Sequence, residues 1–183
     1  VKQKPVLYLA AEGQAGMLKR IEAWKQYHKR DLPTFALLPM PCLVDEPTQR
    51  RELLNMIAEL PQKPGIIVLD TLARSMTGDE NSTADMGKVV IAAGILIEET
   101  GAQVIIIHHT GKDESRGPRG AIALTGATDT MLKVVRLTED KKFALICERQ
   151  KDDEPFAPMV FDFQVVDTGF MTVDGSPVTS LVP

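Results

Sequence analysis

The apolar positions of this chain fall into short unbroken runs that are separated by longer amphipathic stretches. Such runs occur at Val6–Ala10, Ile66–Leu69 and Val104–Ile107, and the lack of a polar face is typical of parallel strands covered by helices on both sides. Helical periodicity appears between and before them, at residues 17–27, 48–60 and 85–100. Strands that alternate with helices predict an α/β fold built on a mostly parallel sheet, with Phe35–Leu38 as a further short strand.

The pattern changes towards the C-terminus, where short apolar runs follow one another without intervening helices. Residues 131–137 and 143–148 predict two strands joined by a turn at 138–142, and residues 159–166 and 170–173 predict further antiparallel strands at the sheet edge. The pattern contains no internal repeat and no second core. We therefore expect one domain over residues 1–183.

Composition is that of an ordinary soluble globular protein, with 44% hydrophobic and 25% charged residues. The apolar runs are too short to span a bilayer and the N-terminus has no secretory pattern, so we expect a cytoplasmic protein without membrane contact. Cys42 and Cys147 lack CxxC spacing, which favours reduced core cysteines over a disulfide or a metal site. A net charge of −4 argues against strong nucleic-acid binding by the isolated chain, while local basic loops remain candidates.

Polar side chains follow three of the predicted buried strands. Glu12 comes after the first, Asp70 ends the central one, and His108 and His109 follow Val104–Ile107. Parallel strands bring their carboxyl ends to one edge of the sheet, where ligands of open α/β proteins bind. An apolar strand followed by Asp is the Walker B pattern, although such an Asp also serves simply to cap a turn. Together the set suits phosphoryl transfer, which needs a metal-organising Asp, a carboxylate to polarise water and a polar γ-phosphate sensor.

The order and spacing of several short motifs support this interpretation. The motifs are Leu7–Gly13, Ile67–Arg74, Asp79–Ser82, Ile107–Lys112, Arg116–Gly120, Gly126–Thr130 and Gln150–Phe156. In these segments the chain resembles the RecA-like ATPases of the RepA-type hexameric helicase family, which includes plasmid, phage and primase-linked members. The resemblance implies a RecA-like three-layer α/β/α fold, the use of ATP and Mg²⁺, a role in DNA replication, and assembly into a hexamer on single-stranded DNA.

The same resemblance assigns roles to the residues at the sheet edge. Glu12 takes the place of the catalytic base, and Asp70 that of the Walker B residue, which holds Mg²⁺ through water. His109 takes the place of the polar residue that links the γ-phosphate to the DNA loop. A zinc site at His108 and His109 is not expected, since adjacent strand residues point to opposite faces.

Two further groups of cations are candidates for binding roles. The segment Thr110–Gly120 follows directly from His109 and is rich in glycine, and its cations Lys112, Arg116 and Arg119 predict a nucleic-acid loop. Arg149 and Lys151 lie two residues apart, so on a strand they share a face. In related hexameric helicases such a pair reaches the γ-phosphate of the adjacent subunit. The alternative is a solvated strand end that pairs with Asp152 or Asp153.

The chain departs from the family pattern at two places. No GxxxxGK(S/T) loop, which would cradle the phosphates, occurs among the 183 residues. We expect an N-terminally truncated domain that lacks the P-loop strand and helix, rather than a degenerate protein, and in either case poor ATP binding. Thr125 stands where family members commonly have Arg. A non-hydrolysing scaffold and a recombination-mediator or regulatory RecA paralogue therefore remain alternatives to the motor.

Overall fold

A computed structural model describes residues 3–109, 121–137 and 142–183 of the chain. The described residues fall into two compact units. The first comprises those of Val1–Gln14 and Leu32–Ala127, and the second comprises Ala15–Asp31 and those of Thr128–Pro183. Each unit is described by itself, and the expectation of one domain over the whole chain stays a prediction.

The first unit is built on a four-stranded, all-parallel sheet with the strand order β2-β1-β3-β4. Its strands are β1 (Val6–Ala10), β2 (Phe35–Leu38), β3 (Ile66–Asp70) and β4 (Gln103–Ile107). Its helices are α2 (Pro47–Glu59), α3 (Thr83–Thr100) and the short α4 (Ala121–Ala127). All four strands were predicted from the apolar runs, and the two longer helices begin and end within two residues of the predicted bounds.

The core of this unit lies on one face of the sheet. Alternate residues of β1 and β3 point to this face and pack against α2 and α3, because successive strand side chains point to opposite sides. The buried cluster includes Leu7, Leu9, Ile67 and Leu69 of the strands, Leu53 and Ile57 of α2, and Ala92 and Leu96 of α3. Asp70 lies on the other face, so packing of the strand fixes its backbone without burying its carboxylate among these apolar groups.

Polar caps define the ends of the two longer helices. Glu46 precedes α2 and accepts a hydrogen bond from the Gln49 amide at 2.8 Å; hydrogen bonds from the Gln49 amide and then the Thr48 amide lower the pKa of the Glu46 carboxyl. Ser82 caps α3 in the same way, through the Asp85 amide. Gly101 ends α3 with a left-handed conformation at φ 68°, as its position after the periodic stretch predicted.

The connection between β3 and α3 is more ordered than its polar composition indicates. A 3₁₀ turn occupies Leu72–Arg74, and the next two residues, Ser75 and Met76, are buried, so the expectation of an exposed loop from Arg74 to Ala84 is wrong at this point. Asp45 holds the segment by accepting from the amide and the hydroxyl of Thr77, at 3.0 and 2.6 Å. A side chain at Gly78 would collide with the carboxyl group of Asp85, which explains the glycine there.

The second unit combines α1 with antiparallel strands. Helix α1 spans Gln14–His28, and its residues from Ala15 belong to this unit. Strands β5 (Thr130–Arg136), β6 (Lys142–Gln150) and β7 (Met159–Asp162) form a sheet in that order, while β8 (Gln164–Met171) and β9 (Pro177–Val182) form a two-stranded sheet. The β5–β6 pairing was predicted, and most of its turn lies outside the described residues. The prediction of a single strand over residues 159–166 is wrong, because it divides at Phe163, and β9 was not predicted.

The fold class predicted from the sequence is confirmed: an α/β protein with a parallel sheet and antiparallel C-terminal strands. Cys42 and Cys147 are both free and buried, as expected. None of the helices in the described ranges is long and apolar enough to cross a membrane.

Candidate functional site

The candidate site lies at the carboxyl edge of the parallel sheet in the first unit. Ala10 of β1 pairs with Asp70 of β3, and Asp70 pairs in turn with Ile107 of β4, so these three strands end at the same level. The chain then leaves the sheet at Glu12 and at His109. Register alone therefore brings together the three positions to which the sequence assigned catalytic roles.

Glu12 and His109 are in direct contact across this edge. Nε2 of His109 lies 3.1 Å from Oε1 of Glu12, and the side chains are 75% and 41% exposed for His109 and Glu12, respectively. The second oxygen of Glu12, Oε2, lies 4.0 Å from Nε of Arg74. Ion pairs as exposed as these contribute only about 0–1 kcal/mol to folding stability. Stability therefore gives little reason for a carboxylate flanked by a histidine and an arginine at this edge.

A second carboxylate–histidine pair lies beside the first. Nδ1 of His108 is 3.7 Å from Oε2 of Glu80, which the connection between β3 and α3 carries to the sheet edge. The adjacent histidines therefore contact different carboxylates, in agreement with the expectation that they point in different directions. His108 is the more buried of the two, with 23% of its side chain exposed.

Asp70 is half-buried and receives a hydrogen bond from the neighbouring strand. The Tyr8 hydroxyl donates to Oδ2 of Asp70 at 2.5 Å, and among the described residues no other hydrogen bond to the Asp70 side chain is found. The main chain of Asp70 is also bound, since its carbonyl accepts from the Ala11 amide at 2.7 Å. The Asp70–Thr71 peptide bond is cis.

These donors fit a magnesium ion that is shared with a nucleotide. Mg²⁺ prefers oxygen ligands and is usually bound by one or two carboxylates together with substrate phosphates and water. Asp70 supplies such a carboxylate at the strand end. In the described part of the chain no group of three or more His, Cys, Asp and Glu residues is arranged to hold a metal by itself. The arrangement thus suits an ion that arrives with phosphate ligands.

The other predicted site residues are not part of this cluster. Lys112, Arg116 and Arg119 lie outside the described residues, so their loop remains a prediction. Arg149 and Lys151 belong to the second unit, where β6 ends at Gln150.

The expectation that Arg149 and Lys151 share a strand face is therefore wrong, because Lys151 lies beyond the end of the strand. Lys151 pairs with Asp129, whose Oδ1 is 3.1 Å from Nζ, and not with the acidic residues that follow it. The role of the two cations at a neighbouring active site stays a prediction.

Sequence reasoning missed three residues of the site. Tyr8 lies two residues before the partner of Asp70 in the strand register, which is a signal that the register reveals once the strands are paired. Arg74 lies one turn after Asp70 and was quoted only as part of a motif. Glu80 carries no signal of its own in the sequence, because its position depends on how the connection before α3 folds.

Comparison with known proteins agrees with this geometry. A family model described as an AAA domain (AAA_25) matches residues 1–115. The search of curated proteins gives no match.

Several solved structures share the fold at low sequence identity. The ATPase domain of a phage-type helicase relative superimposes with a TM-score of 0.64 at 14% identity, covering 87% of this chain and 71% of that one. The RadB recombinase gives 0.58 at 14% identity, covering 88% and 76%. A DnaB-like replicative helicase, solved in a study of its interactions with primase, gives 0.63 at 12% identity over 87% of this chain, which spans only 48% of the helicase. The RecA-like ATPase fold is thereby confirmed.

Proposed function

We propose, on the premise that this chain belongs to the AAA domain family, that it provides the ATP-hydrolysing core of a replicative helicase motor of the RepA type. The observation that carries the proposal is the contact between Glu12 and His109 at the strand edge where Asp70 also ends. A carboxylate for water, a carboxylate for the metal and a polar sensor are the groups that nucleotide hydrolysis requires.

Glu12 is the proposed general base. Its carboxylate is partly exposed and therefore accessible to water, and His109 and Arg74 each flank one of its oxygens. Two flanking groups restrict the orientations of the carboxylate, so an attacking water is oriented with less loss of freedom. Abstraction of the water proton by Glu12 would leave its contact with His109 sensitive to the charge on the carboxylate.

Asp70 is the proposed residue for the magnesium–nucleotide complex, and Mg²⁺ when bound neutralises charge that develops on the phosphates. His109 is the proposed sensor. It contacts the base on one side, and the chain continues from it directly into Thr110–Gly120, the proposed nucleic-acid loop. A change at Glu12 would therefore reach Lys112, Arg116 and Arg119 through a single neighbouring residue.

Single-stranded DNA is the proposed track, and a hexamer in the cytoplasm is the proposed assembly. A net charge of −4 and three loop cations per chain favour weak binding by one subunit and strong binding by a ring, because phosphate contacts add up along a strand. Arg149 and Lys151 are the proposed contacts to the nucleotide of a neighbouring subunit, and Lys151 would have to exchange Asp129 for phosphate.

A second candidate is a non-hydrolysing RecA-fold scaffold or recombination regulator. The absence of a GxxxxGK(S/T) motif from the 183 residues favours it, since backbone amides and a lysine of that motif hold the phosphates in P-loop enzymes. Such a protein would keep the fold and its contacts while showing no nucleotide turnover in any form.

The test is a Glu12→Gln substitution in the full-length gene product. We expect ATP binding to persist while turnover falls by about 10²- to 10⁴-fold, the usual effect of losing a general base. Glu98→Gln, on the exposed side of α3, is the matched control and should hydrolyse ATP at the parent rate. Parent-like turnover in Glu12→Gln would refute the assignment of the base, and no turnover in the parent itself would favour the scaffold.

A further inference from the structure

We infer that Tyr8 is a positioning residue for the metal-binding carboxylate, holding Asp70 in the orientation that leaves Oδ1 free for magnesium-bound water. The inference rests on the proposed role of Asp70. It starts from the 2.5 Å hydrogen bond that the Tyr8 hydroxyl donates to Oδ2 of Asp70.

The strand register explains why these two side chains meet. Tyr8 pairs with Val68, and Ala10 pairs with Asp70, so Tyr8 and Asp70 are diagonal neighbours on the same face of the sheet. A diagonal neighbour is within reach of an aromatic side chain. The phenol length then carries the hydroxyl from the middle of β1 to the end of β3.

The ring of Tyr8 is itself held in place. It packs against Phe35 of the adjacent strand β2, with ring centroids 5.9 Å apart and an interplanar angle of 38°. Ring contacts of this kind favour one ring orientation. The hydroxyl is thus presented to Asp70 from a ring packed against a neighbouring strand, and not from a freely rotating side chain.

A hydrogen bond to one oxygen restricts a group that otherwise rotates easily. The terminal torsion of an aspartate is broad and nearly two-fold, so an unrestrained carboxylate offers either oxygen to a ligand. A phenol that donates to the ionised form makes a charge-assisted bond, which is stronger than a neutral one. With Oδ2 engaged, Oδ1 is the oxygen presented to the metal-bound water.

A purely structural role would have a different consequence. A half-buried tyrosine needs a partner for its hydroxyl, and on that account loss of the hydroxyl would change stability alone. Residues that orient metal-binding groups change metal affinity when substituted, commonly by about 10- to 100-fold. Dependence on magnesium therefore distinguishes the two roles.

The first experiment measures ATP hydrolysis against Mg²⁺ concentration in the full-length gene product. Tyr8→Phe keeps the ring and its contact with Phe35 but removes the hydroxyl. We expect the Mg²⁺ concentration for half-maximal rate to rise about tenfold, with kcat at saturating Mg²⁺ nearly unchanged. The matched control is Tyr27→Phe, at the only other tyrosine, which is exposed on α1 and should behave as the parent.

An unchanged Mg²⁺ dependence in Tyr8→Phe would overturn the inference, provided that Asp70→Asn raises the Mg²⁺ requirement. If Asp70→Asn also leaves that requirement unchanged, the proposed role of Asp70 fails, and the inference fails with it. The two failures are therefore distinguishable.

A second experiment does not depend on hydrolysis or on the stability of Tyr8→Phe. In a Tyr27→Phe background Tyr8 is the sole tyrosine, so the ring Cζ signal in a ¹³C-tyrosine NMR spectrum reports its hydroxyl alone. We expect Asp70→Ala to shift this signal and Glu12→Gln to leave it in place. A signal that does not move in Asp70→Ala would show that the hydrogen bond is absent in solution and would overturn the inference.

Discussion

Leu69 offers a direct test of the packing that fixes the candidate site. Its side chain is fully buried in the cluster formed by the sheet, α2 and α3, and it precedes Asp70 in the chain. Leu69→Ala removes buried methyl groups and leaves a cavity, which typically costs about 2–5 kcal/mol. Because domains are stable by only about 5–15 kcal/mol, we expect a substantial loss of stability.

The assay is urea unfolding of the chain, followed by far-ultraviolet circular dichroism. The only tryptophan, Trp24, lies in the second unit, so its fluorescence would not report the first unit directly. With a urea dependence of about 2 kcal/mol per molar, a loss of about 3 kcal/mol moves the midpoint by about 1.5 M.

Ile91→Ala is the matched control, since the side chain has the same volume and lies in the same unit but is 66% exposed on α3. Its effect should stay within about 0.5 kcal/mol. A Leu69→Ala midpoint as close to the parent as that of Ile91→Ala would refute the packing of β3.

Three further predictions concern ligands and reactivity. The 183-residue chain should show no micromolar affinity for Mg-ATP in calorimetry, because it contains no GxxxxGK(S/T) loop; micromolar binding would require a different phosphate site. In the full-length ring, replacing Lys112, Arg116 and Arg119 with Ala should abolish DNA-stimulated ATPase and leave the basal rate nearly intact, whereas undiminished stimulation would move the nucleic-acid surface elsewhere. Burial, and secondarily the charge of Glu52, raises the pKa of the Cys42 thiol to about 11. Since only the thiolate reacts, alkylation of native Cys42 at pH 8 should be far slower than in urea and should accelerate as the pH approaches 11; equal rates at pH 8 would contradict its burial.

The parallel half of the fold is well predicted from the sequence because its signals are local and agree with one another. Ile66–Leu69 has no polar face, Gly101 follows a periodic helix, and prolines stop α2 before β3. Each strand of the parallel sheet therefore lies within a residue of its prediction. The edge at which Glu12, Asp70 and His109 meet follows from this, since parallel strands must end together.

The antiparallel strands are predicted less well because their limits depend on pairing. Residues 159–166 read as one apolar run, but Met159–Asp162 pairs with β6 while Gln164–Met171 pairs with β9. Nothing in the run itself marks the change of partner. Leu18 shows the same limit in a helix: helical periodicity favours an inward position, yet 60% of it is exposed, whereas Met17 beside it is buried.

The residues that complete the site were missed because contact across a sheet is not a property of sequence spacing. Tyr8 and Asp70 are 62 positions apart, and their contact requires that β1 and β3 be neighbours in one particular register. A shift of one residue would turn Tyr8 to the opposite face, where it would enter the apolar core and Asp70 would lose its partner. The register that buries Leu7 and Leu9 is therefore the same register that presents the Tyr8 hydroxyl to Asp70, so selection for a packed core and for an oriented carboxylate act on β1 together.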